Sequence, residues 1–90
     1  MKYKLSYHHV DHSPAFEEFL DHKVKHLDRL MGGVGHIDFV ADKDARDFKF
    51  SVNIKSKHNQ FHSSEKAADI YQAASKVIPK MKAWLLSHEK

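Results

Sequence analysis

Cysteine is missing from all 90 residues of this chain. Disulfide frameworks, thiolate metal centres and cysteine nucleophiles are therefore excluded, and a reducing compartment is the expected setting. Glycine occurs three times and proline twice, and there is no linker, internal repeat or low-complexity tail. Phosphate loops, dinucleotide fingerprints and nucleophile elbows are absent, so the chain is read as non-catalytic, with no cofactor. No apolar run approaches the roughly 18 residues of a membrane span. The opening Met1-Lys-Tyr-Lys-Leu-Ser-Tyr-His-His lacks the apolar stretch of a signal peptide, and the expectation is a soluble, cytoplasmic protein.

What is present suits one small core. Hydrophobic residues make up 41% and aromatics 11% of the chain, enough for a single domain over residues 1–90 but not two. Fifteen Lys and Arg against twelve Asp and Glu give a net charge of +3, and there are nine histidines, a type that gains charge below about pH 6.5. So mild an excess argues for a nucleic-acid partner only if the cations share a face.

Lys2 to Tyr7 alternates, with Tyr3, Leu5 and Tyr7 on one side, and predicts a half-buried strand. Ser13 suits a helix N-cap and Pro14 the first helical position, with Glu17 and Glu18 at the positive end of the dipole. Phe16, Phe19, Leu20, Val24, Leu27, Leu30 and Met31 then recur at helical spacing up to Gly32-Gly33. Two strands follow, around Ile37 to Ala41 and Phe48 to Ile54, joined by a polar hairpin from Asp42 to Asp47. After a turn at Lys57-His58-Asn59, a short fourth strand is expected around Gln60 to Ser63, with Ser64 capping a second helix. The stripe of that helix is Ile70, Tyr71, Ala74, Val77, Ile78, Met81 and Leu85, and Pro79 inside it predicts a kink or a local break. The order β-α-β-β-β-α implies an α+β two-layer domain with both helices on one face of a four-stranded sheet.

The cations suggest a groove. Lys76 and Lys80 lie one turn apart on the second helix, away from its stripe, with Lys66 nearby and Lys82 toward the other flank. On the first helix Glu17, Asp21 and Asp28 fall on one side, and His22, Lys25, His26 and Arg29 on the other. A basic flank on each helix suits the phosphates of folded RNA; the competing interpretation is solvated lysines with intrahelical pairs such as Asp21 with Lys25. Lys23 sits inside the apolar arc and must either snorkel or emerge between the helices. Lys2, Lys4, Lys49, Lys55, Lys57 and His62 point from the opposite sheet face, a rival surface without exposed aromatics for stacking bases. His22 and His26 at i, i+4, with His8, His9 and His12, raise a metal reading, but without a supporting ligand motif. The Asp42 to Asp47 hairpin lacks the Gly and Glu of a calcium loop, and His62, Ser63 and Ser64 alternate faces and form no relay.

Phe61-His-Ser-Ser-Glu-Lys-Ala-Ala-Asp69-Ile-Tyr71-Gln-Ala73, followed by Lys80, Leu85 and His88, resembles the ribosome hibernation-promoting factors of bacteria. The order of elements matches over essentially the whole chain, and the stretch from His62 to His88 is the most specific. The resemblance implies a topology similar to double-stranded-RNA-binding domains. It also implies binding to the small ribosomal subunit and its rRNA where transfer and messenger RNA would sit, silencing or storing idle ribosomes. Family basic positions map onto Lys23 and Lys80, with Lys82 near another, and Asp69 and Tyr71 match an Asp-x-Tyr signature. Asp69 suits a capping or orienting role, while Tyr71, within the core stripe, is expected to pack with its hydroxyl hydrogen-bonded. The RNA-binding set expected here is Lys23, Lys25, Arg29, Lys76, Lys80, Lys82, His88 and Lys90. The chain departs from the family's dense basic end, with Ala83, Ser87 and Glu89 among His88 and Lys90. Ending at Lys90, it resembles the short form, which in the family promotes ribosome pairing. The alternatives are a general structured-RNA-binding module and a histidine-rich metal-binding or dimerising protein.

Overall fold

The computed structural model describes residues 2–31, 36–56 and 59–88. Its elements are β1 (Lys2–His8), α1 (Pro14–Met31), β2 (His36–Asp44), β3 (Asp47–Lys55), β4 (Gln60–Ala67) and α2 (Ile70–His88). The sheet order is β1-β2-β3-β4. β1 runs parallel to β2, which requires a crossover such as α1, while β2, β3 and β4 form an antiparallel meander.

The register aligns Leu5, Phe39, Val52 and Ser63 in one cross-sheet row and Tyr3, Ile37, Ile54 and Phe61 in the next. These rows meet the helices. Phe16, Leu20, Val24 and Leu27 of α1, and Ala73, Ala74, Val77, Met81 and Leu85 of α2, are buried against Ile37, Phe39, Ala41, Phe50, Val52 and Ile54. Phe16 meets Phe50 edge-on at 5.6 Å, and Phe50 stacks on Phe39 at 5.3 Å. Strand alternation and helical periodicity thus deliver their apolar halves to one layer, as the two-layer expectation required.

Capping explains one helix start as expected and corrects the other. Ser13 Oγ accepts from the Phe16 amide at 3.2 Å, and α1 begins at Pro14. Ser64, by contrast, is not a cap: β4 continues to Ala67, because β3 offers it partners as far as Phe48. The cap is Asp69, whose Oδ1 accepts from the Gln72 amide at 2.9 Å while its carbonyl accepts from Ala73 at 3.1 Å. α2 also runs unbroken through Pro79, so the local break does not occur. Pro79 and Ser75 are both exposed, leaving the Ser75 carbonyl, which loses its helical donor, open to solvent.

The hairpin is tighter than the sequence suggests: Asp44 pairs with Asp47, leaving Ala45 and Arg46 as the turn, with Ala45 at φ 57°. The Gly32-Gly33 stop and Lys57-His58 lie outside the described residues. Beside them, the Ser56 amide donates to the Asn59 carbonyl at 2.9 Å.

Candidate nucleic-acid interface

The first turns of the two helices meet through aromatic rings. Tyr71 of α2 stands edge-on to Phe16 at 5.4 Å and to Phe19 at 5.1 Å. Tyr71 is nevertheless 39% exposed, and among the described residues its hydroxyl has no hydrogen-bond partner. The expected packing role of the ring is met by these contacts, and the expected hydrogen bond of its hydroxyl is corrected. α2 turns only the edge of its stripe toward α1 here, so the ring packs sideways and the residue stays partly open to solvent.

From that contact a seam runs along both helices. Lys23 lies one turn past Phe19, and its exposed ammonium sits over the Phe19 ring, 5.5 Å from the centroid. It snorkels: the stem crosses the apolar arc and the charge ends against the ring quadrupole. His26, seven residues after Phe19, is exposed on the same line of α1. On α2, Lys82 follows Tyr71 by eleven residues, about three turns at 3.6 residues per turn, and shares its flank. At 1.5 Å per residue, Lys23 and Lys82 lie about 6 and 16 Å down the seam from the rings. Among the described residues neither ammonium has an ion-pair partner.

The other candidate cations point elsewhere. Lys25 pairs with Asp21 at 2.9 Å, and Asp21 accepts from the Tyr3 hydroxyl of β1 at 3.2 Å, so Lys25 belongs to the β1 side of α1. The bond from Lys25, then that from Tyr3, holds the Asp21 carboxyl below the usual range. Burial, then Asp21, pushes the Tyr3 phenol up to about 12. Glu17 accepts from Tyr7 at 3.2 Å and pairs with His12 at 2.5 Å. Glu17 and Asp21 thus turn toward β1, away from the seam.

Lys76 and Lys80 lie on the outer flank of α2, over the edge strand. Lys80 donates to Glu65 of β4 and depresses its carboxyl pKa; Lys76 donates to the Lys66 carbonyl at 3.1 Å. Phe61 of β4 stacks on Trp84 at 5.3 Å on this flank. The basic ridge is real as a row on the helix, but it borders β4 and not α1. Arg29 and His88 lie in the last turns of α1 and α2, where their side chains are outside the described part, as is Lys90.

The open sheet face carries charges of both signs. Lys66 pairs with Asp44 at 3.1 Å, His36 with Asp38 at 2.9 Å and His9 with Asp42 at 3.3 Å. His62 bonds Asn53 at 2.8 Å. Lys4, Lys49 and Lys55 have no ion-pair partner among the described residues. Potential metal donors do not gather: among the described residues no three His, Cys, Asp or Glu are placed to hold an ion. No described helix is long and apolar enough to cross a membrane.

Residues 3–90 match the family described as Sigma 54 modulation protein / S30EA ribosomal protein. No curated protein sequence matches the chain. Its fold is similar to that of a ribosomal subunit interface protein from Coxiella burnetii, with TM-score 0.88 and 17% identity over 98% of this chain and 97% of that one. The Protein Y N-terminal domain from Thermus thermophilus is also similar, with TM-score 0.80 and 17% identity over 91% of each chain. At these identities the likeness concerns the fold, which is the mixed four-stranded sheet with two helices described above.

Proposed function

Because this chain belongs to the Sigma 54 modulation protein / S30EA ribosomal protein family, we propose that it binds the small ribosomal subunit and silences or stores idle ribosomes by steric occupancy. The contact is with rRNA in the channel that transfer and messenger RNA would use, and it requires no reaction and no cofactor. The observation that carries this reading is family membership across nearly the whole chain. The seam supports it: Lys23 and Lys82 are free of carboxylate partners among the described residues, and point charges of this kind engage phosphates without reading sequence.

Lys23 and Lys82 are the leading contacts, with His26 beside them and Arg29, His88 and Lys90 assigned from the sequence. Lys25, Lys76 and Lys80 are secondary, since each already has a partner in the free protein. The protein acts in the cytoplasm, where ribosomes are. Competition tests the occupancy directly. The chain should bind empty small subunits saturably and be excluded from subunits loaded with messenger and transfer RNA; equal binding to both contradicts the proposal.

The open-face lysines Lys4, Lys49 and Lys55 favour a second reading, a general structured-RNA-binding module. Such a module binds naked duplex RNA nearly as well as ribosomal subunits, and that comparison separates the two.

A further inference from the structure

Tyr71 combines features that packing alone does not account for. Its ring is fixed edge-on by Phe16 and Phe19, yet 39% of the residue is exposed, and its hydroxyl has no partner among the described residues. A phenol that served only to fill space at this position would do so as well without its oxygen. Phe19 carries two neighbours: the Tyr71 ring at 5.1 Å and the Lys23 ammonium at 5.5 Å. Tyr71 and Lys23 therefore pack on one aromatic ring at the head of the seam, and the phenol and the ammonium can both donate to the same kind of acceptor. An ammonium offers only donors, so the complementary group is an anionic oxygen. Because the ring is already held by two phenylalanines, little rotamer entropy is lost when the hydroxyl engages.

We propose that Tyr71 is an RNA-contact residue, its hydroxyl donating to a backbone phosphate oxygen in the stretch of strand that Lys23 neutralises. This rests on the ribosome-binding reading above and assigns a neutral donor to that site.

The test compares wild type, Tyr71→Phe, Lys23→Gln and the double variant for binding to isolated small subunits across a salt series. Tyr71→Phe keeps both ring contacts, so its melting temperature should stay that of the wild type. Its affinity should fall about tenfold, the loss of one hydrogen bond to a charged acceptor, with the salt slope unchanged because a neutral donor releases no counterion. Lys23→Gln should lower both the affinity and the slope, the latter by roughly 0.7–0.9. The double variant should lose less than the product of the two effects.

Wild-type affinity in Tyr71→Phe overturns the assignment. So does a reduced salt slope in that variant, which would mean that it acts by displacing Lys23. If the wild type itself does not bind small subunits, the ribosomal reading fails and this inference falls with it, a result that the variants alone do not produce.

Discussion

The Lys80 ammonium donates to the Glu65 carboxylate, joining α2 to the edge strand β4. One turn earlier, Lys76 donates to the Lys66 carbonyl on the same strand. An inward charge and a covered carbonyl both make an edge strand a poorer template for pairing with another chain. In the free protein these two lysines serve the edge of the sheet, while Lys23 and Lys82 remain on the seam.

That division has a measurable consequence. Lys80→Gln should weaken binding to small subunits less than Lys23→Gln, because Lys80 must first leave Glu65 to meet a phosphate. Its salt slope should change by clearly less than the roughly 0.7–0.9 of a full phosphate contact. Equal losses in the two variants, read by co-sedimentation, would place Lys80 in the interface on the same footing.

Three carboxyl groups make stability sensitive to acid. Glu65 is held low by Lys80, Asp21 by Lys25 and then Tyr3, and Asp42 by His9 and then the Lys43 amide. A depressed folded pKa stabilises the fold above the unfolded values of about 3.9 for Asp and 4.3 for Glu, and that contribution disappears as pH falls through the folded values. The melting temperature should therefore drop between about pH 5 and pH 3, and Lys80→Met should show a smaller drop than wild type over the same window. An unchanged drop would mean that the Glu65 contact does not persist in solution.

Alkali acts through Tyr3. Burial and Asp21 raise its phenol to about 12, so the folded state keeps a proton that the unfolded chain gives up near pH 10. The contribution of Tyr3 is full below pH 10 and should be lost as pH rises toward 12. Tyr3→Phe should remove that part of the alkaline loss, and spectroscopic titration of the wild type should find a phenol, missing from that variant, that ionises well after an ordinary tyrosine.

Ala45 holds a left-handed conformation, φ 57°, in the turn between β2 and β3. Non-glycine residues there cost about 1–2 kcal/mol, partly offset in glycine by its greater loss of freedom on folding. Ala45→Gly should stabilise the protein by about 0.5–1 kcal/mol, a rise in Tm of about 4–8 °C per kcal/mol for a domain of this size. Calorimetry reads it directly, and a lower Tm would contradict the turn geometry.

The sheet and both helices were legible because alternation and a 3.6-residue period each leave one apolar face, and Ser13-Pro14 marks a helix start. The start of α2 was misread at Ser64 because Ser63 and Ser64 look like capping residues. Pairing with β3 as far as Phe48 overrides that local preference, a tertiary effect that no short window contains. The cations show a different limit. A helical wheel correctly separates Lys76 and Lys80 from Lys82 by angle, but the identity of the neighbour on each flank depends on where α2 lies over the sheet. With α2 beside β4, the first pair meets Glu65 and the Lys66 carbonyl, and the other flank, with Tyr71 at its head, meets α1. The Asp-x-Tyr signature pointed to Tyr71 as a residue of interest, whereas periodicity alone consigned it to the core.

The central claim is that the two-helix seam is the binding face. Co-sedimentation with isolated small ribosomal subunits across a salt series tests it, using Lys23→Gln/Lys82→Gln beside Lys4→Gln/Lys49→Gln/Lys55→Gln. The seam variant should lose most of its saturable binding, with a salt slope reduced by roughly 0.7–0.9 for each lost contact, while the sheet variant binds like wild type. Binding lost only in the sheet variant would contradict the seam as the site.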